Sequence, residues 1–252
     1  MGIGKKKISF IVPVYRSKRF IKKNLEELKL SVGNFFDNFE IIVVVDGCKS
    51  SLLEVKKVEG IKILSYSQNR GKGFALKYGT SNATGEFITF IDADMDLHPD
   101  LLLNFIPYLS NADMVVGSKR HPFSDLEYPL MRKVFSKGFW FIQKIILGVA
   151  LRDTQTGLKI IRRELADIVM PLVLVKRYAF DVELCFLAQK NGFRVVEAPV
   201  KVTTNVGSTI GGNNIFGLLK TAKGMFWDIC AIRYRYSVLK YYQKKYAEER
   251  FK

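Results

Sequence analysis

Short apolar runs alternate with amphipathic segments through the first half of the chain, and this alternation restricts the possible folds more than any other feature. Ile8 to Val14, Phe39 to Val45, Ile61 to Leu64, Phe87 to Ile91 and Asp113 to Val116 read as strands. Phe20 to Leu30, Lys72 to Ser81 and Pro99 to Leu109 read as helices between them. A strand that is apolar almost throughout must be covered on both faces, and intervening helices supply that cover for a parallel sheet. The expected class is therefore α/β, with a mostly parallel central sheet flanked by helices. At 252 residues and 48% hydrophobic, the chain is long and apolar enough to bury such a core.

Ligands of these sheets bind beyond the carboxyl ends of the strands. The chemically informative residues gather there: Pro13 and Tyr15 after the first strand, Asp46 after the second, and Asp92, Asp94 and Asp96 after the fourth. The last three lie at alternate positions of F-I-D-A-D-M-D (Phe90 to Asp96). Crowded carboxylates repel one another unless a hard cation intervenes, and oxygen ligands suit Mg2+ or Mn2+ held jointly with substrate phosphates. The alternative is a polar turn capping a helix that begins near Pro99. His98 either supports the acidic cluster or starts that helix.

Forty Lys and Arg against 24 Asp and Glu give a net charge of +16, which implies polyanionic company: nucleic acid, anionic lipid or a phosphorylated substrate. Cys48, Cys185 and Cys230 match no zinc spacing and read as core thiols in a reducing compartment. The basic, polar start from Met1 to Lys7 predicts no signal peptide. No apolar stretch reaches spanning length, because Lys144 interrupts Phe139 to Leu151. A helix over about 129–150 carries Leu130, Val134, Phe135, Ile142, Ile145, Ile146 and Val149 opposite Arg132, Lys133, Ser136, Lys137 and Lys144. Ile215 to Ile229 repeats the pattern, and the tail Ile232 to Lys252 mixes Tyr with Lys and Arg. Such helices lie in a lipid interface or pack on a core with a solvated basic face. Residues 1–210 are expected to form the main domain, and residues 211–252 a basic membrane-interface segment.

Four stretches in order, I-V-P-V-Y (Ile11 to Tyr15), V-V-D-G (Val44 to Gly47), N-R-G-K-G (Asn69 to Gly73) and D-A-D, together resemble glycosyltransferase family two, of the GT-A fold. The resemblance implies a nucleotide-sugar donor. By position, Pro13, Tyr15, Val44 and Asp46 would contact base and ribose, Asp92 and Ala93 would lie along the donor sugar, and Asp94 and Asp96 would take the metal. Where the family often has Asn-Glu after the tyrosine, this chain has Arg16 and Ser17, which alters one base or ribose contact. Ser17 and Lys72 complete the donor set, Lys72 because G-K-G suits the cradling of a phosphate. Further along, R-K-V-F-S-K-G (Arg132 to Gly138), D-T-Q-T-G-L-K (Asp153 to Lys159) and R-Y-A-F-D-V-E-L (Arg177 to Leu184) are similar to enzymes that make dolichyl- or polyprenyl-phosphate hexoses. Part of this pattern looks like the glucosyl branch, whereas D-A-D-M-D-L-H-P looks like the mannosyl branch, so UDP-glucose and GDP-mannose both stand.

The resemblance implies transfer of a hexose to dolichyl or polyprenyl phosphate at the cytoplasmic membrane face, by a peripherally bound enzyme contacting anionic lipid. A phosphate monoester has a second pKa near ~6, so the acceptor arrives already deprotonated and needs no general base. Lys119, Arg132 and Ser136 are nominated by position to hold it, and direct attack at the anomeric carbon would invert configuration. Asp94 and Asp181 are the catalytic candidates. Asp181 would orient the sugar or a cationic neighbour, unless it and Glu183 are helix-start acids. Asp153 and Lys159, flanking the turn at Gly157, suit a structural ion pair or a substrate role. Three other functions remain: a relative acting on a sugar hydroxyl, an inactive carrier of the same fold, or a basic nucleic-acid-binding protein. No nucleic-acid recognition motif is present, and the acidic trio would repel phosphate without a metal.

Overall fold

The structure, a computed structural model, describes residues 5–17, 20–124, 130–201 and 215–250, excepting the side chains of 130–136, 215–220 and 249–250. Seven strands form one sheet: β1 (Ile8–Val14), β2 (Phe39–Asp46), β3 (Lys62–Tyr66), β4 (Phe87–Phe90), β5 (Met114–Ser118), β6 (Lys159–Arg162) and β7 (Val195–Pro199). Their order is β3-β2-β1-β4-β6-β5-β7, and β6 alone runs antiparallel, pairing with β4 and β5. The expected mostly parallel sheet is the observed one. Running backwards, β6 brings its first residue, Lys159, to the edge where the parallel strands end. There Lys159 stands between Phe90 of β4 and Val116 of β5.

The helices cover both faces. In α1 (Ile21–Phe35) the buried residues Ile21, Leu25, Leu28 and Val32 recur at helical spacing and make one apolar face, each worth about 1.5–3 kcal/mol when buried. That face belongs to the core cluster containing Phe10, Val12 and Val43. On the opposite side Ile11, Ile42, Val44 and Phe90 join the cluster of α3 (Lys72–Ser81), α5 (Arg163–Val169) and α6 (Phe180–Lys190). A short α2 (Lys49–Val55) follows β2.

The segment read as one helix from Pro99 is two 3-10 turns, Pro99–Asn104 and Ile106–Ser110. Pro107 lacks the N–H that an α-helix would need there, so the segment breaks at Phe105. His98 starts the first turn. It accepts a hydrogen bond from the Asp100 N–H and lies 3.4 Å from Glu27 and 3.1 Å from the Asp100 carboxylate, so it serves the helix start.

α4 (Leu130–Leu147), α7 (Ile215–Ser237) and α8 (Tyr241–Arg250) complete the fold, and α4 packs on α7. Met225, Ile229 and Ile232 of α7 are buried, as is Tyr242 of α8. On the apolar face read for α4, Ile145 is 66% exposed, whereas Gln143 and Leu147 are buried.

Candidate active site

The cleft is assembled at the carboxyl edge of the sheet. On one side stand the ends of β1 and β2. Tyr15 is exposed under the Arg16 guanidinium, and the Ser17 N–H donates to Ser51 Oγ at 3.1 Å, fastening this turn to α2. Ser17 Oγ donates back to the Tyr15 carbonyl. Pro13 is partly exposed at the end of β1. Val44 differs from its expected donor contact. Its side chain is fully buried beneath α3 and its backbone is paired between β1 and β3, so it packs the sheet and does not face the cleft.

Asp46 is buried and accepts three hydrogen bonds: from Asn69 Nδ2 at 2.9 Å, the Arg70 N–H at 2.6 Å and the Gly71 N–H at 2.9 Å. Its carboxylate therefore shapes the N-R-G-K-G loop, a role the sequence did not disclose. Gly71 has φ +94, and a Cβ there would meet the Lys176 carbonyl at 2.3 Å, so this position requires glycine. The next residue, Lys72, opens α3 and reaches across to Asp92 Oδ1 at 2.6 Å. Burial works against the Lys72 ammonium, but Asp92 and Asp181 outweigh it and push its pKa up. Burial likewise opposes the Asp92 carboxylate, which Lys72, Lys159 and Lys119 hold below the usual range.

The D-A-D loop is held from outside by Asn24 Nδ2, which donates to the Ala93 carbonyl at 2.8 Å. Met95 takes a left-handed backbone with φ 59, and the Asp96 N–H points to Asp94 Oδ1 at 3.3 Å. Asp94 is exposed. Desolvation within the cleft and the charges of Asp92 and Asp96 push its pKa up to about 6. Among the described residues, no group of three His, Cys, Asp or Glu side chains is gathered closely enough to hold a metal ion. Asp94 and Asp96 nevertheless fit a cation that takes its remaining ligands from a diphosphate, because their mutual repulsion is the kind a cation relieves.

The far side is built by the D-T-Q-T-G-L-K segment. Asp153 accepts from the Lys119 N–H at 3.0 Å and from the Gln155 N–H at 3.1 Å, while its own N–H donates to Glu197. Thr154 Oγ1 donates to Gln143 of α4 at 3.0 Å. Gly157 lies so close to Asp92 that a Cβ would stand 2.0 Å from Oδ2. Lys159 is fully buried and pairs with Asp181 Oδ1 at 2.6 Å; it also donates to the Thr156 carbonyl. The pair across the Gly157 turn is thus Lys159 with Asp181, not with Asp153. Asp181 lies in the first turn of α6 with Lys159 as its cationic neighbour. Glu183 faces away from the cleft, accepting from the Leu174 and Val175 N–H groups and from the Tyr242 hydroxyl. Lys119 follows β5 at the rim, beside Arg120, whose guanidinium lies 5.4 Å from the Trp140 ring. Arg132 and Ser136 are in α4, but their side chains lie outside the described residues.

Residues 9–169 match the model of the family described as Glycosyl transferase family 2. A dolichyl-phosphate beta-glucosyltransferase of Dictyostelium discoideum is 30% identical over 251 residues, covering 91% of this chain and 74% of that protein. One of Drosophila melanogaster is 30% identical over 81% of this chain and 69% of its own length. Mannosyl-3-phosphoglycerate synthase from Rubrobacter xylanophilus superposes with a TM-score of 0.69 at 18% identity, over 91% of this chain and 74% of that one. Glucosyl-3-phosphoglycerate synthase from Mycobacterium tuberculosis, crystallised with Mn2+ and UDP, gives 0.66 at 16% identity, over 92% and 78%. The chain is a glycosyltransferase of the GT-A fold and belongs to glycosyl transferase family 2.

Proposed function

We propose that the enzyme transfers glucose, with inversion, from UDP-glucose to dolichyl or polyprenyl phosphate at the cytoplasmic face of a membrane, using Mg2+ or Mn2+. The observation carrying this reading is that Asp153 and Asp181, among the described residues of the far wall, are already committed: Asp153 accepts two backbone N–H groups and Asp181 is paired with Lys159. A hydroxyl acceptor would need a free base there, and a phosphate acceptor does not. The dolichyl-phosphate beta-glucosyltransferase relatives favour glucose over mannose, and the UDP-bound structural neighbour favours a uridine donor.

In this reading Tyr15, Ser17, Asp46 and the loop it holds bound the nucleotide side. Lys72 and Asp92 flank the diphosphate and sugar, with Ala93 in the loop between the acids. Asp94 and Asp96 hold the ion, which when bound offsets charge on the departing diphosphate. Lys119, Arg132 and Ser136 receive the lipid phosphate, and alignment of the two phosphorylated reactants supplies much of the rate. Among the described residues no helix is long and apolar enough to cross a membrane. α4 and α7 each expose large apolar side chains beside lysines: Phe141 and Ile145 with Lys144, and Phe226 and Trp227 with Lys223. They are our candidates for contact with an anionic lipid surface.

The test presents UDP-glucose and GDP-mannose separately with a polyprenyl phosphate and Mn2+, following label into organic solvent. Glycolipid is expected from UDP-glucose and should disappear on chelation. Asp94→Asn should lower turnover by roughly a hundredfold or more, since an ion at transferring oxygens contributes several kcal/mol. Failure to make glycolipid from either donor would end this reading.

A further inference from the structure

Four charges alternate in sign across the floor of the cleft, from four separate elements. Lys72 opens α3, Asp92 follows β4, Lys159 opens β6 and Asp181 sits in the first turn of α6. The two contacts Lys72–Asp92 and Lys159–Asp181 are both 2.6 Å. They differ in setting, because the first is open to the cleft while Lys159 and Asp181 are almost completely enclosed.

The enclosed pair acts on the open one through the chain between them. The Lys159 ammonium holds the Thr156 carbonyl, and Thr156 Oγ1 donates to the Gly117 carbonyl of β5. Gly157 is thereby set against Asp92 with no room even for a methyl group. Its backbone limits where Oδ2 of Asp92 can lie, and Oδ1 is the atom that pairs with Lys72. A buried ion pair is a poor device for stability alone, because well-packed apolar residues commonly serve a core as well or better. Its place under the donor carboxylate suggests another use.

We propose that Lys159 and Asp181 are positioning residues, a buried pair that locks Gly157 against Asp92 and so fixes Asp92 and Lys72 in the geometry that receives the nucleotide sugar. This rests on the donor-cleft reading above. Neither residue touches substrate, and Asp181 does not remove a proton.

The experiment uses the full chain with three measurements: thermal melting, UDP affinity by calorimetry with Mn2+, and steady-state transfer to a polyprenyl phosphate. Two variants are made. Lys159→Met/Asp181→Val removes both buried charges together, which spares the fold the unpaired ion a single substitution would leave. Gly157→Ala acts on Asp92 directly. The double variant should melt close to wild type yet lose roughly a hundredfold in kcat/KM, the usual consequence of misplacing reacting groups by about 1 Å. Gly157→Ala should raise the donor KM about tenfold and leave the acceptor KM unchanged. A folded double variant with wild-type kcat/KM would overturn the proposal, because a purely structural pair predicts that result. Should the double variant not fold, Gly157→Ala decides, and an unchanged donor KM overturns it. A wild-type chain that binds no UDP refutes the donor-cleft reading itself, an outcome distinct from failure of the variants.

Discussion

Cys48 follows β2 and precedes α2, where the hydroxyls of Ser50 and Ser51 both lie 3.3 Å from its sulfur. These hydrogen bonds, from Ser50 and then Ser51, lower the thiol pKa to about 6 against the opposing effect of burial. Burial pushes Cys185 up to about 12. The thiolate is the reactive form, so alkylation of Cys48 should rise tenfold per pH unit below 6 and level off above it. Cys185 should stay unmodified in the folded protein. Peptide mass mapping after brief iodoacetamide treatment across pH 5 to 8 checks this; equal labelling of the two would contradict it. Other residues were legible to unequal degrees. Asp46, Asp92 and Asp94 stood out as acids at strand ends, although the loop that Asp46 shapes was not legible. Lys159 was legible as half of an ion pair but its partner was not, since Asp181 is distant in sequence whereas Asp153 is near. Val44 misled because position in a motif does not say which face of the sheet a side chain takes.

Among the elements, α6 has the least ordinary construction. Phe180 to Ala188 are all buried, so no polar face gives the helix a readable period. Its Glu183 fastens the loop at Leu174 and Val175 to α8 through Tyr242. Lys77 of α3 and Lys245 of α8 both donate to the Pro171 carbonyl, gripping the same loop from two sides. Glu183→Ala would leave two N–H groups and a hydroxyl without their acceptor, at a cost of about 3 kcal/mol. Tyr242→Phe, which removes one donor and keeps the ring, should cost about 1–2 kcal/mol. Urea denaturation monitored by circular dichroism measures both, and equal stability of the two variants would be the wrong result. The first five strands were legible because their apolar runs end in turn residues. β6 and β7 were not, since β6 is four residues long and opens on Lys159, and β7 carries Glu197 midway.

For the molecule as a whole, the +16 charge and the exposed aromatic residues predict a salt-sensitive attraction to anionic lipid. Trp227 is 62% exposed on α7, so its emission should shift to shorter wavelength when phosphatidylglycerol vesicles are added. Phosphatidylcholine vesicles should give little change, and 0.5 M salt should weaken the effect by screening. A shift of equal size with both lipids would argue against a charge-guided surface.

One reversed strand governs how this architecture tolerates change. Along a strand, side chains alternate between faces, so slipping β6 by a single position would swing the Lys159 ammonium into the opposite layer. Inserting one amino acid between Gly157 and Leu158, or deleting Leu158, would therefore unbalance the charged floor of the cleft, even if every backbone ladder reformed. Indels at the opposite edge of the sheet carry no such penalty, and length variation should be tolerated there first.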